Sequence, residues 1–372
     1  MPTDFRFVRN VLLKALLLFV IANLAFAWLN PLPLIGKVSA YNLIFPGRER
    51  LPYGENPERA YNLSLFQLDA LFASHAVAQP KPANEYRVLL IGDSSVWGLL
   101  LKPNDTLAAQ INAAHSTTPN GQAIRAYNLG YPIMSLTKDL LILSRARRYQ
   151  PDLIVWLVTL ESFPYDKQLF PPLLQHNPEP VRQLIRDYNL KLDQRDSSFV
   201  DPSFWDRTII GQRRALADVL RLQLYGVMWS ATGIDQDIPE TYTPRAEDLP
   251  ADATFHNLQP PHLTAADLAF DVLAAGVQLA GATPLLLINE PMFVSQGKNS
   301  DIRYNFFYPR WAYDDYHALL AEQSRQHGWN YFDLWDVVSQ TEYTDSAVHL
   351  TPTGETQLAT KVGEVIREWI NQ

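Results

Sequence analysis

The feature that most constrains this chain is a series of short apolar runs separated by stretches with helical periodicity. The runs lie at 87–91, 123–128, 153–158, 284–288 and 329–333, and the helical stretches at 135–148, 264–280, 312–326 and 353–370. Most runs lack strict alternation of apolar and polar residues, which is typical of parallel strands covered on both faces. The sequence therefore predicts an α/β fold with a doubly wound parallel sheet, whose active-site loops lie at the carboxyl ends of the strands.

A serine follows the first of these runs, and a histidine precedes the last helical stretch. Ser94 lies in the sequence GDSS directly after the first run, and His349 lies close to the C-terminus. A hydroxyl is a weak nucleophile at neutral pH and needs a base, which a histidine oriented by a carboxylate can supply. Behind His349, Thr351 is the predicted N-cap and Pro352 the first-turn residue of the final helix. This pattern predicts Ser94 as nucleophile and His349 as its base.

The acid that would orient His349 has more than one candidate. Asp345 precedes the histidine by four residues, Asp336 lies further upstream, and a Ser-His dyad without an acid is a third possibility. We predict Asp345, because the geometry of a triad and not its sequence spacing defines it. His317 also has acidic neighbours, but it lies in a predicted helix, where a solvated charged face is the simpler interpretation.

The N-terminus predicts a membrane anchor. Residues 11–29 are apolar apart from Lys14 and Asn23, and about 20 such residues cross a hydrocarbon core. Lys14 can reach the headgroups at one end and Trp28 suits the interface at the other. Basic residues are enriched on the N-terminal side, which predicts a single-pass membrane protein with its catalytic domain outside the cytoplasm. A cleaved signal, with a peptidase site at 25–27, is the alternative.

Composition shifts divide the chain into three parts. Residues 1–29 form the anchor. Residues 30–83 contain several prolines and glycines and predict an extended tether, followed by an amphipathic helix over 61–72. Residues 84–372 form the catalytic domain, and a proline-rich and aromatic insertion at about 165–260 is too long for a simple crossover. Such an insertion is expected to form a helical cap over the carboxyl edge of the sheet.

Within the insertion, residues 213–224 are predicted as a helix that stops at Tyr225 and Gly226. Trp205, Tyr225 and Trp229 are candidates to line a carbohydrate or acyl groove. The alternative is that these three rings fill the small core of the cap itself.

Composition excludes several classes of protein. The 372 residues are 47% hydrophobic and carry a formal net charge of −8, so the chain can bury a large core and offers no basic footprint for nucleic acid. The chain has no cysteine, which excludes disulfides, thiolate catalysis and cysteine-ligated metals. No cofactor or metal site is predicted, because neither ligand spacing nor a glycine-rich phosphate loop is present.

Three short motifs resemble blocks I, II and V of the SGNH/GDSL esterase superfamily. They are GDS at 92–94, NLG at 128–130, and the terminal segment with Asp345, His349, Leu350 and Gly354. The resemblance covers roughly residues 85–372 with a large insertion, and it implies a flavodoxin-like sandwich. It also implies that Ser94 attacks the acyl carbon, that His349 is its base, and that the amides of Ser94 and Gly130 stabilise the oxyanion.

The chain departs from the family pattern at two positions. Glu161 occupies the place of the block III asparagine, which is the third oxyanion donor in the family, and a carboxyl group could donate there only if burial keeps it protonated. Block V normally reads Asp-x-x-His, whereas Ser346 stands at the position of that acid and Asp345 one residue earlier.

The resemblance implies a membrane-anchored serine esterase or O-acyltransferase that acts on ester-linked acyl groups. An acylated glycan outside the cytoplasm is the expected substrate, and a membrane-embedded acyl donor protein is a possible partner. The alternative is a non-catalytic glycan-binding or scaffold component of a polysaccharide export or modification complex.

Overall fold

The computed structural model describes residues 5–45, 47–54, 59–61, 63 and 65–372. Within them, one five-stranded sheet contains β1 (Glu85–Ile91), β2 (Ala123–Asn128), β3 (Leu153–Val158), β4 (Leu285–Asn289) and β5 (Asn330–Asp333). The strands are parallel and their order is β2-β1-β3-β4-β5. This confirms the predicted doubly wound sheet, and each strand overlaps one predicted apolar run over nearly its whole length.

Helices flank the sheet and extend from it. They are α1 (Phe5–Leu29), α2 (Leu32–Gly36), α3 (Leu68–Ala73), α4 (Ser94–Trp97), α5 (Leu107–Ala113), α6 (Leu136–Ala146), α7 (Tyr165–Gln168), α8 (Pro172–Gln175), α9 (Pro178–Asp187), α10 (Arg213–Thr232), α11 (Phe270–Ala280), α12 (Arg310–His327) and α13 (Pro352–Ile370). Short 3-10 helices cover Tyr41–Leu43, Ala76–Ala78, Pro103–Asp105, Arg147–Tyr149, Leu160–Ser162, Trp205–Arg207 and Gln340–Glu342. The predicted stretch at 264–280 is helical only from Phe270 onward.

The sheet separates two apolar layers because successive side chains of a strand point to opposite faces. In β1, Val88 and Leu90 belong to the layer that includes residues of α5 and α13. Leu89 and Ile91 belong to the larger layer, with α6, α11 and α12. All four side chains are fully buried, which explains why residues 88–91 of the strand are continuously apolar in sequence.

Helix α1 is the one helix in the described part of the chain that is long and apolar enough to cross a membrane. Its 25 residues have a mean hydropathy of 2.2, and only 11% of the apolar window is buried. This statement rests on the length and composition of the helix alone. Near its end, Asn23 and Ala27 are buried against the rest of the chain.

The segment after α1 is packed and not extended, so the predicted tether is wrong for this region. Tyr41, Arg48, Arg50 and Leu51 are all buried. Arg50 forms a buried ion pair with Asp235, which lies 185 residues away in sequence. The prolines and glycines here separate short helices, and burial of the segment depends on partners that local composition does not reveal. The predicted helix over 61–72 is present only as α3, and positions 62 and 64 lie outside the described residues.

The insertion differs from a helical cap over the carboxyl edge. Its short helices α8 and α9 pack against α6, and α10 packs against the 3-10 turn at Tyr41–Leu43. Gly226 does not end α10, which continues to Thr232 and stops at Gly233, whose φ of 70° suits glycine. Gly226 instead lies against the ring of Tyr41. The buried side of α10 therefore packs on the N-terminal segment.

Candidate active site

The turn after β1 presents Ser94 at the carboxyl edge of the sheet. Gly92 leaves no room for a side chain, because a Cβ there would lie 2.6 Å from Val96 Cγ2. Asp93 caps α4 by accepting a hydrogen bond of 2.8 Å from the amide of Ser95. Ser94 is therefore the first residue of a short helix, where backbone amides have no intrahelical acceptor.

A tight loop before α13 presents His349. The amide of Thr344 donates to the carbonyl of His349 at 2.9 Å, and Tyr343 and Leu350 form an antiparallel bridge. Thr351 then caps α13 by accepting from the amide of Gly354, as predicted. These contacts close the loop on both sides of the histidine, which is 9% exposed.

The structure brings Ser94, His349 and Asp345 into one hydrogen-bonded row. Nε2 of His349 lies 2.9 Å from Ser94 Oγ, and its Nδ1 lies 2.9 Å from Asp345 Oδ1. Partial burial raises the pKa of Asp345, but the hydrogen bond and charge of His349 outweigh it, so the pKa is lowered overall. The carboxylate bonded to the imidazole is thus that of Asp345, while Asp336 is exposed after β5.

Gly130 lies close to the nucleophile helix, on the loop after β2. A Cβ at this position would lie 2.4 Å from the amide nitrogen of Trp97, so only glycine fits. The amide of Gly130 donates a hydrogen bond of 3.1 Å to Oδ1 of Asn128. An oxyanion bound here would therefore compete with this side chain for the Gly130 proton.

Glu161 is buried after β3, and its oxygens act as acceptors. Lys167 Nζ lies 3.0 Å from Oε1, and His256 Nε2 lies 3.2 Å from Oε2. Burial lowers the pKa of His256, but its contacts with Glu161 and Asp166 outweigh burial and raise that pKa overall. Lys167 and His256 thus contact both oxygens of Glu161, and the role of Glu161 as an oxyanion donor stays a prediction.

A buried ammonium group ties the two loops of the site together. Lys138 Nζ donates to the carbonyls of Gly92 at 2.9 Å and Tyr131 at 2.6 Å, and it lies 2.7 Å from Asp139 Oδ1. Burial raises the pKa of Asp139 to about 6, against the opposing effect of Lys138. One side chain therefore fixes Gly92, the first residue of the GDS motif, and Tyr131, the residue after Gly130.

A second buried acid supports the nucleophile helix. Ser95 Oγ donates to Oε2 of Glu290 at 2.5 Å, and Glu290 directly follows β4. Burial, followed by the nearby charge of Asp93, holds the pKa of Glu290 well above its usual range. Burial therefore disfavours the charged form of this carboxyl group.

The three aromatic candidates of the insertion lie on two elements, with Trp205 in a 3-10 turn and Tyr225 and Trp229 about one turn apart on α10. Trp229 is buried with the guanidinium of Arg48 5.8 Å from its ring centroid, and Tyr225 lies 6.5 Å from the ring of Tyr61. Trp205 is 69% exposed, in a turn that contacts α1. Tyr225 and Trp229 therefore pack between α10 and the N-terminal segment, and not within a small core of the insertion alone.

Sequence reasoning missed Lys138, Glu290 and His256. A lysine next to an aspartate at the start of an otherwise apolar helical stretch was a usable signal for a buried pair. An acid directly after a predicted strand was a signal for Glu290, since it had to reach the same edge as Ser94. His256 lies in the insertion with a φ of 52°, and no local pattern marks it.

No protein-family model and no curated protein sequence matches this chain. Among solved structures, it is similar to a member of the lipolytic protein G-D-S-L family from Veillonella parvula, at 10% identity and a TM-score of 0.35, over 75% of this chain and 97% of that chain. A carbohydrate acetylesterase from Sinorhizobium meliloti matches with 10% identity and a TM-score of 0.35, over 75% of this chain and 97% of that chain.

An aryl esterase from M. smegmatis matches at 10% identity and a TM-score of 0.35, over 76% of this chain and 98% of that chain. These solved structures are a lipolytic protein, a carbohydrate acetylesterase and an aryl esterase. At this level of similarity, the chemistry has to be derived from the contacts of Ser94, His349 and Asp345 themselves.

Proposed function

We propose that this protein is a serine enzyme that transfers acyl groups from esters, either to water as an esterase or to a sugar hydroxyl as an O-acyltransferase. The observation that carries the proposal is the 2.9 Å contact between Ser94 Oγ and His349 Nε2, backed by Asp345 on the other ring nitrogen. A nucleophile, a base and an orienting acid in a row are what such chemistry requires.

The first step forms an acyl-enzyme. With Nδ1–H donated to Asp345, the lone pair of His349 Nε2 faces the Ser94 hydroxyl and accepts its proton as Oγ attacks the ester carbonyl. The tetrahedral intermediate then collapses, and the imidazolium returns the proton to the departing alcohol. In the second step His349 activates the acceptor hydroxyl, which releases the acyl group from Ser94.

Two backbone amides are the proposed oxyanion donors. The Ser94 amide lies at the start of α4, and the Gly130 amide lies on the neighbouring loop, where it bonds to Asn128 in the resting state. Preorganised donors of this kind typically lower the barrier by about 3–4 kcal/mol each. The position of the third family donor is filled by Glu161, so we propose that the site works with two.

We further propose that α1 spans a membrane and that the catalytic domain lies outside the cytoplasm. The exposed apolar surface of α1 and the basic residues Arg6, Arg9 and Lys14 toward its N-terminal end support this topology. An acylated glycan is the proposed substrate, and a membrane-embedded acyl donor is the proposed partner if the enzyme is a transferase. Protease protection of the catalytic domain in sealed cells would test the topology.

Labelling with a fluorophosphonate tests the nucleophile. The full chain should be modified at one serine, and Ser94→Ala should abolish labelling. Ser95→Ala is the matched control: it removes the neighbouring hydroxyl and its hydrogen bond to Glu290, so labelling of Ser94 should be slower but should persist. His349→Ala should slow labelling by about 10²–10⁴-fold, the usual contribution of a general base.

Labelling that persists in Ser94→Ala would show that the nucleophile is another residue. A folded chain that is never labelled but binds oligosaccharide would support the scaffold alternative. To separate the two enzymatic activities, an acetyl ester is supplied with and without an oligosaccharide acceptor. A transferase acetylates the sugar in preference to water, whereas an esterase releases acetate at the same rate in both mixtures.

A further inference from the structure

Helix α10 has an apolar stripe on its exposed side as well as on its buried side. Leu220, Leu224, Val227 and Met228 are 67%, 65%, 44% and 40% exposed and follow one another at helical spacing. Single exposed apolar side chains are ordinary, but a continuous stripe marks a surface that meets something apolar. The opposite stripe already packs on the N-terminal segment, so the exposed stripe is not needed for the fold.

The segment after α1 adds to this stripe. Leu34, Val38, Leu43 and Ile44 are between 60% and 83% exposed. The side chain of Gln223 accepts from the amide of Ala40 at 2.7 Å and donates to the carbonyl of Val38 at 3.4 Å, which joins this segment to α10.

The juxtamembrane surface, as we name it, consists of these two sets: Leu34, Val38, Leu43, Ile44, Leu220, Leu224, Val227 and Met228. Its two parts are fixed to each other by hydrogen bonds and by the packing of Gly226 on Tyr41.

Helix α1 leaves the folded body beside this surface. Asn23 is the first buried residue of α1, and its Oδ1 accepts from the amide of Ile210 at 3.2 Å. Residues 5–22 are exposed, and the apolar stretch 11–29 continues for about 9 Å past Asn23 at 1.5 Å per residue. The part of the body that contacts Asn23 therefore lies at the depth of the outer bilayer boundary.

The residues at this level have the composition of a membrane interface. Phe204 and Trp205 are 42% and 69% exposed in the turn that contacts α1, and aromatic rings are enriched at headgroup depth. Arg213 and Arg214 at the start of α10 are exposed, in a chain whose net charge is −8. Basic residues next to an apolar stripe are typical of helices that lie in the plane of a membrane.

We propose that the juxtamembrane surface is seated in the headgroup and acyl boundary of the bilayer that α1 spans, with α10 as an interfacial helix. The inference rests on the membrane anchoring proposed above and adds a second point of contact. Continuity with α1 and the adjacent arginines favour lipid over a protein partner as the occupant. An interfacial helix of this kind buries its apolar face about 5–10 Å into the boundary.

The absence of cysteine allows single-site labelling of the full chain. Leu224→Cys, Leu17→Cys and Thr360→Cys are each labelled with an environment-sensitive NBD dye in bilayer nanodiscs of phosphatidylethanolamine and phosphatidylglycerol. Doxyl-labelled lipids are then added as a contact quencher. Leu17 tests the span, Leu224 tests α10, and Thr360 is the matched control, since it is an exposed helical residue in the opposite layer.

The proposal predicts that the dye at 224 loses a share of its emission comparable with that at 17, while the dye at 360 keeps its emission. Quenching at 17 without quenching at 224 would overturn the interfacial helix and leave the anchor intact. A blue-shifted but unquenched dye at 224 would also overturn it, because a protein surface would then cover the stripe. Loss of quenching at 17 would overturn the anchor, and the interfacial helix with it.

Discussion

Replacing Glu355 with glutamine should stabilise the protein, and the gain should grow with pH. Glu355 lies in the first turn of α13, is 2% exposed, and has the backbone of Leu107 as a hydrogen-bond partner. Its Oε1 has no hydrogen-bond partner among the described residues. Burial raises the pKa of this carboxyl group from 4.5 to about 8. The folded protein therefore keeps a proton that the unfolded chain gives up.

The sign and size of the effect follow from this difference. Because the folded pKa is the higher one, the native state binds more protons, and stability falls as pH rises from about 4.5 to about 8. At 1.36 kcal/mol per unit, the cost is about 1 kcal/mol near pH 5 and about 3 kcal/mol near pH 7. Glutamine carries no charge at any of these pH values and should escape the cost.

The free energy of unfolding is measured by denaturant titration of the full chain in detergent micelles at several pH values. The difference between Glu355→Gln and the parent should be small at acidic pH and should widen toward pH 8. Glu364→Gln is the control, because Glu364 is half-exposed on the same helix, and its effect should stay within about 0.5 kcal/mol. A difference for Glu355→Gln that does not change with pH would refute the reasoning.

Two further substitutions probe packing and charge. Gly226→Ala would place a Cβ 2.3 Å from the ring of Tyr41, so overpacking of about 1–3 kcal/mol should exceed the gain of about 1 kcal/mol in helix propensity, as measured by thermal unfolding. Gly363→Ala is its control, because the added Cβ meets only a flexible arginine end and the change should stabilise. Lys138→Met should cost about 3–5 kcal/mol and slow fluorophosphonate labelling, since it leaves Asp139 buried without its counter-charge. The double variant with Asp139→Asn should recover part of the stability. A double variant that loses more unfolding free energy than the two single variants lose together would contradict this account.

The sheet could be predicted from the sequence because its signals are local. The run at 153–158 is apolar throughout since β3 is covered on both faces, and its bounds match the observed strand. Ser94 and His349 were predictable for a related reason: the carboxyl ends of parallel strands meet at one edge, whichever residues lie between them. Their side chains lie in contact, while their catalytic roles stay predictions until labelling tests them.

The rest depended on contacts between distant residues. Arg48 and Arg50 lie in the segment predicted as a tether, yet both are buried. Asp235 binds Arg50 and the ring of Trp229 lies against Arg48, and both partners come from the distant insertion. The length of α10 was underestimated for the same reason. Gly226 resembles a helix stop in isolation, and only the ring of Tyr41 explains why a glycine is needed inside the helix.

The contacts of the Arg50 guanidinium affect how far Ser94 can move relative to α1. It binds Asp235, which lies just after α10. It also donates to the carbonyls of Gly98 and Leu101, which follow α4, so the N-terminal segment is joined both to the insertion and to the nucleophile helix. An enzyme on a loose stalk sweeps a wide volume above its anchor. If α1 spans a membrane as proposed above, these contacts hold Ser94 at a single height and tilt, and substrates have to be delivered to that fixed position.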